Sequence, residues 1–93
     1  MDKRLRFDVT RQDANVLMAE LRGYAVAWWF PFVFDELLAA ITRLDTGPSS
    51  TATLEVPDEA GRAFHRWLGY AALRTRQDPP TAEALDRVHR SKR

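Results

Sequence analysis

The sequence predicts a mainly helical α+β domain, in which two short strands form a ribbon covered by four helices. Two stretches alternate apolar and polar residues, as a strand with one buried face does. Four longer stretches repeat apolar residues at helical spacing, and glycines or prolines separate most of these segments. A chain of 93 residues has room for one core, so we expect a single domain over residues 1–93.

The predicted strands cover about residues 4–9 and 51–56. Charged or polar residues alternate with apolar ones in both, so each strand has one face suited to the core. The inward-facing residues are Leu5, Phe7 and Val9 in the first strand, and Ala52, Leu54 and Val56 in the second.

The first two helices are predicted at about 11–29 and 31–44. Thr10 is placed to cap the first one, with Asp13 three residues later. Pro31 lacks an amide hydrogen and suits the first position of a helix, so the chain should change direction there. The predicted core faces are Ala14, Leu17, Met18, Leu21, Tyr24, Ala25 and Trp28 in the first helix, and Phe34, Leu37, Leu38, Ile41 and Leu44 in the second.

The last two helices are predicted at about 57–75 and 81–90. The first of them has acidic residues in its opening turn, which the helix dipole favours. The sequence Asp78-Pro79-Pro80 is expected to end that helix, and Thr81 to cap the next. Residues 91–93 are expected to fray.

The two halves of the chain resemble each other at an offset of 47 residues. Each half is predicted as a strand, a long helix and a shorter helix. At this offset Phe7 aligns with Leu54, and Leu17 with Phe64. We therefore consider two β-α-α repeats related by a pseudo-two-fold axis, although few of the aligned residues are identical.

Residues 28–34 hold five of the ten aromatic residues of the chain. Trp28 and Phe34 fall on the predicted core faces of two helices, whereas Trp29 and Phe32 do not. Aromatic side chains are common anchors of protein interfaces. Trp29 and Phe32 are therefore the predicted partner-binding residues, with a place in the core as the alternative.

Charge is distributed unevenly along the chain. The net charge is −6 over residues 7–61 and +5 over residues 62–93, and twelve of the fourteen basic residues are arginine. This imbalance favours self-association or a charged partner. One helical face gathers the candidate nucleic-acid contacts, which are Arg62, His65, Arg66 and Arg76, with further basic residues beyond them.

The sequence lacks the motifs of common catalytic, phosphate-loop and metal sites. His65 and His89 lie on different predicted helices, so they do not indicate a shared metal site. The sequence implies no cofactor and no small-molecule substrate. The absence of cysteine and of an apolar run near Met1 favours a cytoplasmic protein. The uncharged stretch 23–34 is shorter than a membrane-spanning helix needs, and we expect no membrane association.

The sequence thus favours a small, non-enzymatic interaction or regulatory module. We expect it to bind a protein partner through the exposed aromatics of the 28–34 block and to form a homodimer. The alternative is a nucleic-acid-binding regulator that uses the arginine-rich second half.

Overall fold

The computed structural model describes residues 3–23 and 31–93, and at positions 31 and 32 it describes the backbone alone. Two strands and four helices follow one another in an order that confirms the predicted α+β class. They are β1 (Arg4–Thr10), α1 (Arg11–Gly23), α2 (Pro31–Thr46), β2 (Thr51–Pro57), α3 (Asp58–Arg74) and α4 (Pro79–Arg90). Residues 24–29 of the predicted first helix lie outside the described residues.

The two strands form an antiparallel ribbon in which Phe7 lies opposite Leu54. The alternation read from the sequence is confirmed, because Phe7, Val9, Leu54 and Val56 are buried on one face of the ribbon. On that face the ring of Phe7 meets the edge of the Phe64 ring, with the centroids 5.0 Å apart. The helices cover this face and enclose the core.

The last residues of the chain lie along the outer edge of β1. Arg6 and Arg93 exchange two backbone hydrogen bonds of 3.0 and 2.8 Å, as an antiparallel strand pair does. The Asp8 amide donates to the Ser91 hydroxyl, which in turn donates to the Val88 carbonyl. The sequence predicts fraying of residues 91–93, whereas in the structure these polar groups of β1 hold the segment in place.

The outer edge of β2 is also covered at the described positions. A guanidinium nitrogen of Arg43 donates to the Thr53 carbonyl at 3.0 Å. The Glu55 amide points to a carboxylate oxygen of Glu36 at a longer 3.5 Å. These side chains occupy backbone groups that an added strand would use.

The core face of α1 agrees with the prediction over the described residues, whereas that of α2 is rotated. In α2 the structure buries Val33, Leu37 and Ala40, and it leaves Leu38 43% exposed. Phe34 and Ile41 are half-buried against the core. The predicted inward position of Leu38 is therefore wrong. Apolar residues spread widely around this helix, and contact with β2 determines which of them face inward.

Hydrogen bonds at the helix starts confirm one predicted cap and correct another. The Asp13 amide donates to the Thr10 hydroxyl at 3.1 Å, as expected for the cap of α1. In α4, however, the helix begins at Pro79, and the Thr81 hydroxyl donates to the Asp78 carboxylate instead of capping the helix. Prolines are well tolerated in a first turn because their missing amide hydrogens have no helical partner there.

An ion pair between a buried carboxylate and a half-exposed guanidinium joins the first helix to the last. The Asp13 carboxylate, 3% exposed as a residue, accepts a 2.7 Å hydrogen bond from the Arg87 guanidinium. This hydrogen bond raises the pKa of Arg87, while partial burial opposes the rise. The pair links α4 to the first turn of α1.

The β-α-α order of both halves fits the considered repeat, although a duplication stays a prediction. The strands begin and end 47 residues apart, and Phe7 pairs with the residue 47 positions later. The buried residues of α2 and α4, the second helix of each half, follow a different offset, because Leu37 corresponds to Leu85 at 48 residues.

Candidate functional site

The predicted partner-binding residues fall where the structure gives no side chains. Trp29 lies outside the described residues. Phe32 belongs to the first turn of α2, which begins at Pro31, but its side chain also lies outside the description. Their role in partner binding therefore stays a prediction.

Three large apolar residues are exposed in the described part of the chain. Leu73 is 71% exposed, Tyr70 is 59% exposed, and Leu38 is the third. Tyr70 and Leu73 stand three positions apart on α3, so they are neighbours on the surface of that helix. We refer to Tyr70 and Leu73 as the α3 apolar patch.

A shallow groove runs between α3 and α4 beside this patch. Its volume is about 410 Å³, and Ala72, Leu73 and Ala82 give it an apolar lining. Glu83 and Asp86 of α4 line it as well, and Arg76, just after the end of α3, also takes part. The groove therefore joins an apolar strip to charges of both signs.

Three of the four predicted nucleic-acid contacts meet in one place. Arg62, His65 and Arg66 line a cleft of about 350 Å³ together with Lys92. Arg76 does not line this cleft; it lies two residues beyond the end of α3, in the groove described above. We refer to Arg62, His65, Arg66 and Lys92 as the basic cleft.

The basic residues of the cleft differ in whether an acidic residue neutralises them. Arg62 forms an ion pair with Asp58, one turn earlier on α3, at 3.1 Å. Arg66 and Lys92 have no ion-pair partner within residues 3–23 and 31–93. All four lining residues are basic types, so the cleft concentrates positive potential.

Two histidines stack beside the cleft. The rings of His65 and His89 lie 4.0 Å apart between centroids and only 8° from parallel. Gly69 makes room for this arrangement, because a Cβ at that position would lie 3.2 Å from Nε2 of His89. Burial lowers the pKa of His65, and the positive charges of His89 and Lys92 lower it further. A hydrogen bond to the His89 backbone partly opposes this shift.

Several bases of the second half are used within the molecule. Arg87 pairs with Asp13, Arg93 with Asp8, and Arg62 with Asp58. Each of these pairs joins the acidic segment 7–61 to the basic segment 62–93. Much of the charge imbalance read from the sequence is thus satisfied inside one chain, and less remains for a charged partner.

The sequence prediction omitted the α3 apolar patch and did not give Lys92 a fixed position. A helical wheel does place Leu73 about 180° from the buried Phe64, so periodicity contained a signal for this residue. Lys92 had no such signal, because its position depends on the pairing of Arg93 with β1.

Metal and membrane sites are not apparent in the described residues. No group of three or more histidine, cysteine or acidic residues there is placed to hold a metal ion. None of the helices in the described ranges is both long enough and apolar enough to cross a membrane. Comparison with protein-family models, with curated proteins and with solved structures finds no match to this chain.

Proposed function

We propose that the protein is a non-enzymatic interaction module whose partner is a second copy of the same chain. In this homodimer, α2 of each copy packs against α3 of the other. The observation that carries the proposal is the exposure of Leu73 at 71% and Tyr70 at 59% on a folded chain that buries most of its described large apolar residues. Exposed apolar side chains beside a groove are typical of interaction surfaces.

The exposed face of α2 has the chemistry to cover this patch. Leu38 is 43% exposed, and Asp35 is exposed three positions before it on the same face. Arg76, two residues beyond the end of α3, is exposed three positions after Leu73. Contact between the two faces would pair leucine with leucine and aspartate with arginine. A two-fold axis would form this contact twice, which doubles the buried area.

The aromatic block leads directly into the proposed interface. Residues 28–30 precede α2, and Phe32 stands three positions before Asp35. Trp29 and Phe32 are therefore close in sequence to the face that would dock, and we include them in the proposed contact.

Helix packing also suits the covered edges of the ribbon. Arg93 and Ser91 occupy backbone groups of β1, and Arg43 and Glu36 contact those of β2. A partner that adds a strand would have to displace these contacts. A contact between helices leaves them intact.

Light scattering coupled to size-exclusion chromatography tests the proposal with matched variants. Leu73→Asp should elute at the monomer mass of 10.7 kDa with unchanged circular dichroism, because an exposed leucine contributes little to folding. Arg76→Asp and Asp35→Arg should each weaken the dimer, and the two together should restore it. Arg22→Asp, on the exposed end of α1, is the control and should leave the dimer intact.

Substitution of both Trp29 and Phe32 by serine tests the aromatic block in the same assay. A folded monomer would place the two rings in the interface, whereas an unfolded chain would place them in the core. A Leu73→Asp protein that remains dimeric would contradict the proposed contact.

The second candidate is nucleic-acid binding, which the gathering of Arg62, His65 and Arg66 with Lys92 in one cleft favours. The acidic residues Glu83 and Asp86 in the neighbouring groove limit how far a phosphate backbone would extend along α3. Fluorescence anisotropy with labelled duplex and single-stranded oligonucleotides tests this candidate. Binding that weakens steeply with salt and with Arg66→Glu supports it, and no anisotropy change at low salt contradicts it.

A further inference from the structure

We propose that the basic cleft is a binding site for one phosphate monoester dianion. The ligand would be a phosphorylated small molecule or a single phosphorylated side chain. This inference is independent of the homodimer, because none of the four cleft residues belongs to the proposed dimer contact. It differs from the nucleic-acid candidate in the number of phosphates bound.

The shape and charge of the cleft suit a small anion. Its volume of about 350 Å³ matches the lower range of small-ligand sites. Arg66 and Lys92 approach it from two separate segments, α3 and the chain after α4. Two unpaired cations from separate elements can contact different oxygens of one anion. A phosphate monoester offers three such oxygens, and guanidinium and ammonium groups are its usual ligands.

Backbone and side-chain contacts hold parts of the cleft in place. Hydrogen bonds of Ser91 and Arg93 to β1 place Lys92, which lies between them, over α3. The absence of a side chain at Gly69 allows His89 to stack on His65. Arg62 is oriented by a two-point contact with Asp58. The backbone of Lys92 and the side chains of Arg62 and His65 are thus positioned before a ligand arrives, which reduces the ordering cost of binding.

His65 lies in a positive electrostatic environment. Its pKa is lowered by burial and by His89 and Lys92, while Arg62 and Arg66 add positive charge from its own helix. A bound dianion would offset this positive field and favour the protonated ring. Protonated His65 would then add an N–H donor to those of Arg66 and Lys92. The pKa of His65 should therefore rise on binding.

The test is a nuclear magnetic resonance titration of the full chain at constant ionic strength, with chloride as the balancing anion. Inorganic phosphate, O-phosphoserine and phenyl phosphate are the probes. The expected result is saturable shifts of the His65 ring and of the Arg66 and Lys92 backbone signals, together with a raised pKa of His65. If phosphoserine and phenyl phosphate bind alike, the site recognises the phosphate group itself; a preference for one of them shows which group attached to the phosphate the cleft accommodates.

Two variants and a control separate specific binding from general attraction. Arg66→Ser and Lys92→Ser should each weaken phosphate binding roughly tenfold, because each removes a charge-assisted donor. Arg22→Ser removes an exposed arginine near the end of α1, a helix that contributes no described residue to the cleft. It should change the affinity less than about twofold. Using two variants from different segments guards against a folding defect in either one.

Three results would overturn the inference. The first is the absence of saturation by each probe up to about 10 mM, which is weaker than a specific small-ligand site. The second is equal weakening by Arg22→Ser and Arg66→Ser. The third is an oligonucleotide that binds far more tightly than every monoester, with an affinity that rises with its length, which would assign the cleft to nucleic acid. Each result leaves the homodimer test unaffected.

Discussion

Replacing Arg87 with methionine should lower the free energy of unfolding by about 2 kcal/mol, because it leaves the buried Asp13 carboxylate without its charged partner. Methionine retains most of the apolar stem of arginine, so the change removes mainly the guanidinium. The loss of a partner in a fully buried pair costs about 3–5 kcal/mol. Here the Arg87 side chain is 53% exposed, so water can reach part of the gap and reduce the penalty.

The neighbouring pair on α4 provides a matched control. Arg90 pairs with Asp86 at 2.6 Å, a distance even shorter than the 2.7 Å between Arg87 and Asp13. Both side chains of the control pair are exposed, at 77% and 41%. Arg90→Met should therefore cost at most about 0.5 kcal/mol. The comparison separates burial from distance as the source of the stabilisation.

Urea denaturation at neutral pH and one fixed protein concentration measures both variants. A double-mutant cycle with Asp13→Asn should give a coupling energy of at least about 1 kcal/mol with Arg87→Met. Equal losses in the free energy of unfolding for Arg87→Met and Arg90→Met, or a coupling energy near zero, would contradict the proposed role of the Arg87–Asp13 pair in anchoring α4 on α1.

Three further predictions concern other parts of the structure. Gly61→Ala should destabilise the protein by about 1–3 kcal/mol, since its Cβ would lie 2.8–3.0 Å from the Leu5 side chain. At Gly23 a Cβ meets no atom of the described residues within 4 Å, so Gly23→Ala should be neutral or stabilising by up to about 1 kcal/mol; denaturation that ranks the two variants in reverse would contradict this packing. Because the pKa of His65 is lowered on folding, the folded state binds fewer protons, and the free energy of unfolding should fall as the pH drops below about 6.5. Denaturation across that range should show a smaller fall for His65→Gln, and equal falls in the two proteins would contradict a lowered pKa of His65. Hydrogen exchange should show a protected Asp8 amide that exchanges faster in Ser91→Ala, because the Ser91 hydroxyl accepts from it at 2.9 Å; equal rates would mean that the tail does not stay on β1.

The alternation of apolar residues made the ribbon predictable. Phe7 and Leu54 stand inside strands whose polar neighbours have no place in a core, so one face alone can be buried. The helix α2 was harder to orient, because Leu37 and Leu38 are adjacent leucines and both fit an apolar stripe. Its rotation depends on contact with β2, which local periodicity does not encode.

The basic cleft was predictable in part for a similar reason. Arg62, His65 and Arg66 lie within five residues on one helix, so helical spacing brings them together. Arg76 was predicted on the same stripe, but α3 ends at Arg74, and Arg76 lies in a different groove. The place of Lys92 arises from backbone pairing between segments 87 residues apart, namely Arg6 and Arg93, and no local pattern signals such a contact.

Sedimentation equilibrium of the unmodified chain over a range of concentrations tests the proposed self-association most directly. For a self-associating chain we expect a mass that rises with concentration from 10.7 kDa toward twice that value. The dimer should persist in about 1 M NaCl, because the contact rests mainly on apolar side chains that salt does not screen. A mass that stays at 10.7 kDa at the highest concentration and at low salt would contradict the proposal.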